Sequence, residues 1–258
     1  MKKKILSIFL SLSMLSALAV PAMAEEAAAV QSLAEDFESE NFVNNEATAE
    51  DGTYTSDWYA SSSTCYVVDK TRFHDGKQSL GFKTNWQTNI SYRGDMDVGN
   101  YVYEVWYYDE GYNPSAATSS AISLSGIKSD GVTATGNEAL MFGHKAGAYN
   151  GSYIVRKTNG SGITRQKGWH QIVIDTTTKG KVSVWYDGVN ANSNNVGTDV
   201  YDVTGFKIGN FWSNGAGGKS NIDSIKTYNS YSEVPVHRDT VMESVKFQSG
   251  EDVEWCED

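Results

Sequence analysis

From Gly168 to Gly188 the chain reads GWHQIVIDTTTKGKVSVWYDG, and few folds accommodate such a stretch. His170 to Asp175 and Val182 to Tyr186 are rich in β-branched and aromatic residues and read as extended strands. The TTTKGK between them supplies a glycine for a turn, and Asp187-Gly188 ends the second strand. Apolar groups fall on both faces of each strand. That suits a central pair in a layered sheet better than a half-exposed hairpin.

The flanking sequence continues in the same style. Cys65 to Val68, Gln78 to Lys83, Asn89 to Arg93, Ala121 to Ile127, Ala139 to Gly143, Ser152 to Arg156, Gly205 to Trp212 and Asn221 to Tyr228 are strand-like. Turns are expected at His74-Asp75-Gly76, Asn150-Gly151 and Thr158 to Gly162. The most aromatic strand is YVYEVWYY, with Tyr101, Tyr103, Val105 and Tyr107 on one face and Val102, Glu104, Trp106 and Tyr108 on the other. No long helical period follows residue 24, and short strands at this spacing indicate an all-β, two-sheet antiparallel sandwich.

A Gly-Trp-His opening, an apolar strand, a polar turn and a strand ending in Tyr-Asp-Gly resemble the core hairpin of laminin-G-like and other concanavalin A-type jelly-roll domains. The resemblance covers Glu35 to Tyr228 and is strongest from Gly168 onward. It implies a jelly-roll sandwich of the kind found in secreted bacterial carbohydrate-binding modules.

Met1 to Ala24 reads as a signal peptide: Lys2 to Lys4, an apolar run from Ile5 to Val20, and small residues at Ala22 and Ala24. Nothing similar follows, so an exported chain without a membrane span is expected. Its removal takes three lysines and leaves 18 basic against 32 acidic side chains, a net charge of −14. Such a balance disfavours nucleic acid and anionic membranes as partners. Residues 25–34 form an alanine-rich lead-in, residues 35–228 the domain, and residues 229–258 a linker and tail that reads as the start of a next module. Cys65 and Cys256 are too few for a disulfide scaffold and are expected not to pair.

Three kinds of site are open to such a chain. Rings that stack on pyranose faces, flanked by amide and carboxylate groups for hydroxyls, point to sugar binding. Trp58, Trp86, Trp106, Tyr108, Tyr149 and Trp212 are the candidates, whereas Trp169 and Trp185 are assigned to packing. The resemblance also implies a structural calcium ion, held by an acidic pair near the first strand and an aspartate in the last. Asp36, Glu38 and Asp223 fit that description, with carbonyls of the Asp75-Gly76 turn as further oxygen ligands.

For catalysis, the Glu-x-Asp-x-x-Glu strand of related glycoside hydrolases is missing, and Glu104, Asp109 and Glu110 are the nearest acids to it. FGHKAGAYN, Phe142 to Asn150, resembles the Lys-Ala-Gly-x-Tyr strand of alginate-type polysaccharide lyases, which would make Tyr149 the base and Arg156 the uronate partner. The arginine-rich strand and the Gln-Ile-His element of those enzymes have no counterpart; here His170-Gln171-Ile172 has another order. The leading expectation is a secreted, non-catalytic carbohydrate-binding or adhesion module acting on polysaccharide or cell-surface glycan. A polysaccharide lyase and a structural surface domain with a protein partner are the alternatives.

Overall fold

A computed structural model describes residues 32–39, 57–60, 66–82, 89–111, 120–134, 140–145, 151–156, 159–191, 196–197, 200–211 and 220–235. The strands in chain order are β1 (Trp58–Ala60), β2 (Tyr66–Asp69), β3 (Ser79–Phe82), β4 (Asn89–Tyr92), β5 (Val102–Glu110), β6 (Ser120–Ile127), β7 (Thr133–Ala134) and β8 (Leu140–His144). They continue with β9 (Ser152–Arg156), β10 (Asn159–Thr164), β11 (Lys167–Asp175), β12 (Lys181–Tyr186), β13 (Val189–Asn190), β14 (Val196–Gly197), β15 (Asp202–Gly209) and β16 (Ser220–Tyr228). Helical structure among the described residues is limited to one 3-10 turn, Tyr231–Glu233.

The strands form two antiparallel sheets. One runs β1-β4-β15-β6-β8-β9-β10 with β7 added beside β6, and the other runs β13-β12-β11-β5-β16-β3-β2 with β14 added beside β12. The centre of the second sheet is β5, flanked by β11 and β16. The β11–β12 hairpin is therefore not the central pair that its two-sided apolar pattern implies. Its outer member, β12, is one short strand from the edge, and β5 takes the middle because both of its neighbours pair along almost its whole length.

Alternation along β5 divides the molecule. Tyr103, Val105 and Tyr107 point between the sheets, where they join Ile172, Ile174, Ile222 and Ile225 from the same sheet and Trp58, Ile90, Ile122, Leu124, Phe142, Phe206 and Ile208 from the other. Fully burying each such side chain stabilises the fold by about 1.5–3 kcal/mol. Tyr186 ties the layers together: its hydroxyl donates to the Ile154 carbonyl (2.5 Å) and accepts from the Gly143 amide (3.0 Å). Val102 lies on the opposite, outward face with Val173, packed beneath Val234, Tyr228 and Tyr231. Tyr231 stacks on Trp185 at 4.0 Å between ring centres, so residues 231–234 cover one end of that face.

The Gly-Trp-His and Tyr-Asp-Gly signals acquire physical roles in the hairpin. Asp187 (φ 51°) and Gly188 (φ 72°) both take left-handed backbone between the paired residues Tyr186 and Val189. Two positive φ values in a two-residue loop are what a type I′ turn requires. The Asp187 carboxylate accepts the Gln171 amide at 2.8 Å and meets His170 Nδ1 at 2.6 Å.

Candidate functional site

The outward face of the second sheet carries an aromatic surface at the end of β5 opposite Val102. Trp106 and Tyr108 project from it, and cross-strand pairing sets Trp169 and Asn221 beside Tyr108, and Gln171 and Asp223 beside Trp106. Trp106, Tyr108 and Trp169 are all partly exposed. Trp169 meets Tyr108 at 5.4 Å and 71° and His74 at 5.8 Å and 69°, steeply inclined in both cases. His74, by contrast, lies flat on Trp106 at 3.5 Å and 12°. Arg72 sits over the Tyr108 ring at 4.3 Å. One face each of Trp106 and Tyr108 is thus occupied, whereas Trp169 has no parallel neighbour among the described residues.

Polar groups border the rings. Arg72 Nη1 donates to Glu110 Oε1 at 3.2 Å and to Asn221 Oδ1 at 3.3 Å, and both members of the Arg72–Glu110 pair are about one-third exposed. Asn221 Nδ2 donates to Asp69 Oδ2 (3.1 Å) and Ser79 Oγ (2.9 Å). Burial works to raise the Asp69 carboxyl, but hydrogen bonds from Thr71, Asn221 and Arg72 outweigh it and hold Asp69 below its ordinary range. The surface therefore combines rings, fixed carboxylate and amide groups and a charge-balanced ion pair.

Beyond His74 the same face opens into an acidic recess of about 260 Å³ lined by Asp36, Glu38, Asp75, Gly76, Asp223, Ser224 and Lys226. The structure thus brings together the three acids singled out for calcium, from segments nearly 190 residues apart in sequence. A bulge between Asp223 and Ile225, with Ser224 at φ 48°, turns Asp223 outward and returns Ile225 to the core. Burial, with the charge of Glu38 adding to it, pushes the Asp223 carboxyl up to about 6 despite hydrogen bonds from backbone amides.

Among the described residues no three His, Cys, Asp or Glu side chains converge with metal-binding geometry. A calcium site here would draw on carboxylate oxygens together with turn carbonyls. That all-oxygen donor set is of the kind a hard cation takes.

Between the sheets, under the rings, lies a sealed polar cluster. Arg165 and Asp109 form a two-point ion pair (2.8 and 2.6 Å) with side chains 1% and 0% exposed. Burial opposes charge on both. Their mutual pairing outweighs it, holding Asp109 below the usual carboxylate range and Arg165 above its own. The Tyr107 hydroxyl is hydrogen-bonded to His144 Nδ1, and burial lowers the His144 pKa to about 3, so that imidazole is neutral.

The sequence-derived candidates separate sharply. Trp106 and Tyr108 lie on the aromatic surface. Trp58 does not: it is 1% exposed, its indole nitrogen donates to Glu35 Oε2 at 2.9 Å, and it packs on Phe37, Tyr92 and Phe206. A sugar cannot stack on a ring sealed in the core. Trp86, Tyr149 and Trp212 lie outside the described residues, as do Cys65, Cys256 and the Arg156 side chain. Trp169, assigned to packing from sequence, is instead a member of the surface, and His74 and Arg72 join it without having been singled out. The loop HDG marks a turn, and a turn pattern does not reveal which neighbouring ring its side chains will reach.

No pair of acids on β5 is set for hydrolysis. Glu104 and Asp109 face opposite sides, and Glu104 and Glu110 are six residues apart on one side, about 20 Å along an extended strand. Glu104 is buried under the Tyr228 hydroxyl (2.6 Å) and the Gln171 amide (2.7 Å). The Phe142–His144 portion of the lyase-like stretch belongs to the other sheet.

Neither families of known sequences nor curated proteins match the chain. Solved structures do. The cellulose induced protein Cip1 is similar with a TM-score of 0.52 and 14% identity over 77% of this chain and 98% of its own. The globular domain of T. cruzi calreticulin has a TM-score of 0.44 and 12% identity over 85% of this chain and 93% of its own. An alginate lyase from Alteromonas sp. 272 has a TM-score of 0.36 and 14% identity over 64% of this chain and 95% of its own. At these identities the likeness concerns the fold alone, and the likeness to Cip1 agrees with the two antiparallel sheets in a jelly-roll sandwich.

Proposed function

We propose that this chain is an exported, non-catalytic carbohydrate-binding module that takes a neutral glycan on the outward face of its second sheet. The carrying observation is the grouping of Trp169, Tyr108 and Trp106 on one partly exposed surface, bordered by Glu110, Asn221 and Asp69. Rings of this kind stack on the C–H faces of sugars, and fixed carboxylate and amide groups select hydroxyl positions. Neutrality of the ligand follows from charge: Arg72 is matched by Glu110, and the chain carries a net −11 that repels polyanions. Among the described residues no helix is long and apolar enough to cross a membrane. Export rests on the N-terminal sequence pattern.

A calcium ion in the acidic recess completes the proposal, with Asp36, Glu38 and Asp223 as its carboxylate ligands. Bound there, it would add positive charge beside Asp36, Glu38 and the buried Asp223 and would favour the native state. Affinity electrophoresis through gels containing cellulose derivatives, xylan, mannan, β-1,3-glucan or alginate tests the main reading. Retardation by a neutral polysaccharide that Trp169→Ala abolishes is the expected result. Unretarded migration in every gel contradicts it, and cleavage of alginate with a rise in ultraviolet absorbance would replace it with a lyase.

A further inference from the structure

The segment between β2 and β3 has no regular structure, and carboxylates at both ends and in its middle hold its backbone amides. Asp69 Oδ1 accepts the Thr71 and Arg72 amides (2.9 and 3.0 Å). Asp223 Oδ2 accepts those of His74 and Asp75 (2.8 and 3.2 Å), and Glu38 Oε1 accepts those of Lys77 and Gln78 (2.8 and 3.0 Å). Hydrogen bonds to ionised acceptors are about twice as strong as neutral ones. Gly76 adopts φ +69°, and a Cβ there would collide with the Glu38 carboxylate, so the loop closes directly against that side chain.

The same loop carries the two side chains that lie on the rings. Arg72 covers Tyr108 and His74 covers Trp106. The amide gripped by Asp223 belongs to His74 itself, which fixes where that imidazole leaves the backbone. Asp223 and Glu38 come from β16 and the N-terminal segment and border the recess, yet through the loop they act on the rings.

We propose that Asp223 and Glu38 are positioning residues of the aromatic surface: by holding the loop amides at His74, Asp75, Lys77 and Gln78 they place His74 on Trp106, and so determine which face of that ring a ligand reaches. This rests on the reading of the rings as the binding surface, and it adds a determinant of specificity lying outside the rings.

The test uses no sugar, so its failure and the failure of glycan binding are told apart. Proton NMR at one fixed calcium concentration follows the His74 ring protons, identified by their loss in His74→Gln. Stacked on an indole, they resonate well upfield of an exposed histidine. Asp223→Ala and Glu38→Ala should return them toward the exposed position, whereas Asp223→Asn, which keeps an oxygen acceptor, should leave them upfield. The buried Trp58 indole signal reports that each variant is folded. If Asp223→Ala does not fold, Glu38→Ala carries the test. Upfield His74 signals that persist in every folded alanine variant overturn the proposal, as does an equal loss in Asp223→Asn and Asp223→Ala.

Discussion

Trp169 and Trp58 show what a single residue's sequence context conceals. Both sit in strands, Trp169 between Gly168 and His170 and Trp58 between Asp57 and Tyr59, and alternation says which residues share a face but not which face is the interior. Pairing resolves it: Trp169 lies opposite Tyr108 on the outward side, and Trp58 points inward. Replacing Trp169 by alanine should weaken glycan binding tenfold or more, about 1.4 kcal/mol, while leaving the melting temperature nearly unchanged, because the ring is partly exposed. Titration calorimetry and melting curves check both halves. His144 makes a second prediction at this scale. Burial depresses its pKa from 6.5 to about 3, so only the unfolded chain takes up its proton between those values. Stability from this group is present above pH 6.5 and is lost by about 1.4 kcal/mol per unit as pH falls toward 3. Urea midpoints should fall more steeply on acidification for the native protein than for His144→Gln; parallel curves would contradict the assignment.

At the scale of elements, β5, β11, β12 and β16 were legible from period-two alternation and turn residues, to within a few residues at their ends. Asn159 to Thr164 was not. Its Asn-Gly-Ser-Gly composition reads as a turn, but it forms β10 at the sheet edge, held to β9 through two register shifts. Glycine in a strand signals irregular pairing as readily as a reversal. The hairpin supplies the element's own prediction, through Asp187. Burial lowers the His170 pKa, but the Asp187 carboxylate and the Gln166 carbonyl more than offset it, leaving a raised value. A raised histidine stabilises fully below its unfolded value of 6.5, and the contribution disappears as pH climbs through the folded value. Asp187→Asn should therefore cost about 1 kcal/mol below pH 6, with the gap to the native protein closing at alkaline pH. Denaturant midpoints across pH measure it; a gap that widens with pH would contradict the pairing.

At the scale of the molecule, the described strands form a two-layer sandwich that carries Trp106, Tyr108 and Trp169 on one outward face, with an acidic recess beside the rings. The sequence announced the layers through its strand spacing and the acids through their positions in the first and last segments. It could not announce the contact between loop and rings, which depends on a tertiary fit with no local signature. If the recess holds calcium, chelation should lower the melting temperature by several degrees, since an ion at 100 times its dissociation constant adds about 2.7 kcal/mol to the native state. An unchanged transition removes the ion from the account. The central claim, that the outward aromatic face binds neutral glycan, is tested most directly by following the tryptophan indole signals in 1H–15N spectra. Cellohexaose, xylohexaose, mannohexaose and laminarihexaose would be added in turn. Saturable shifts of Trp169 and Trp106 with Trp58 and Trp185 stationary are predicted for at least one of them. No movement of Trp169 with any hexasaccharide, or movement confined to Trp58 and Trp185, would contradict the claim.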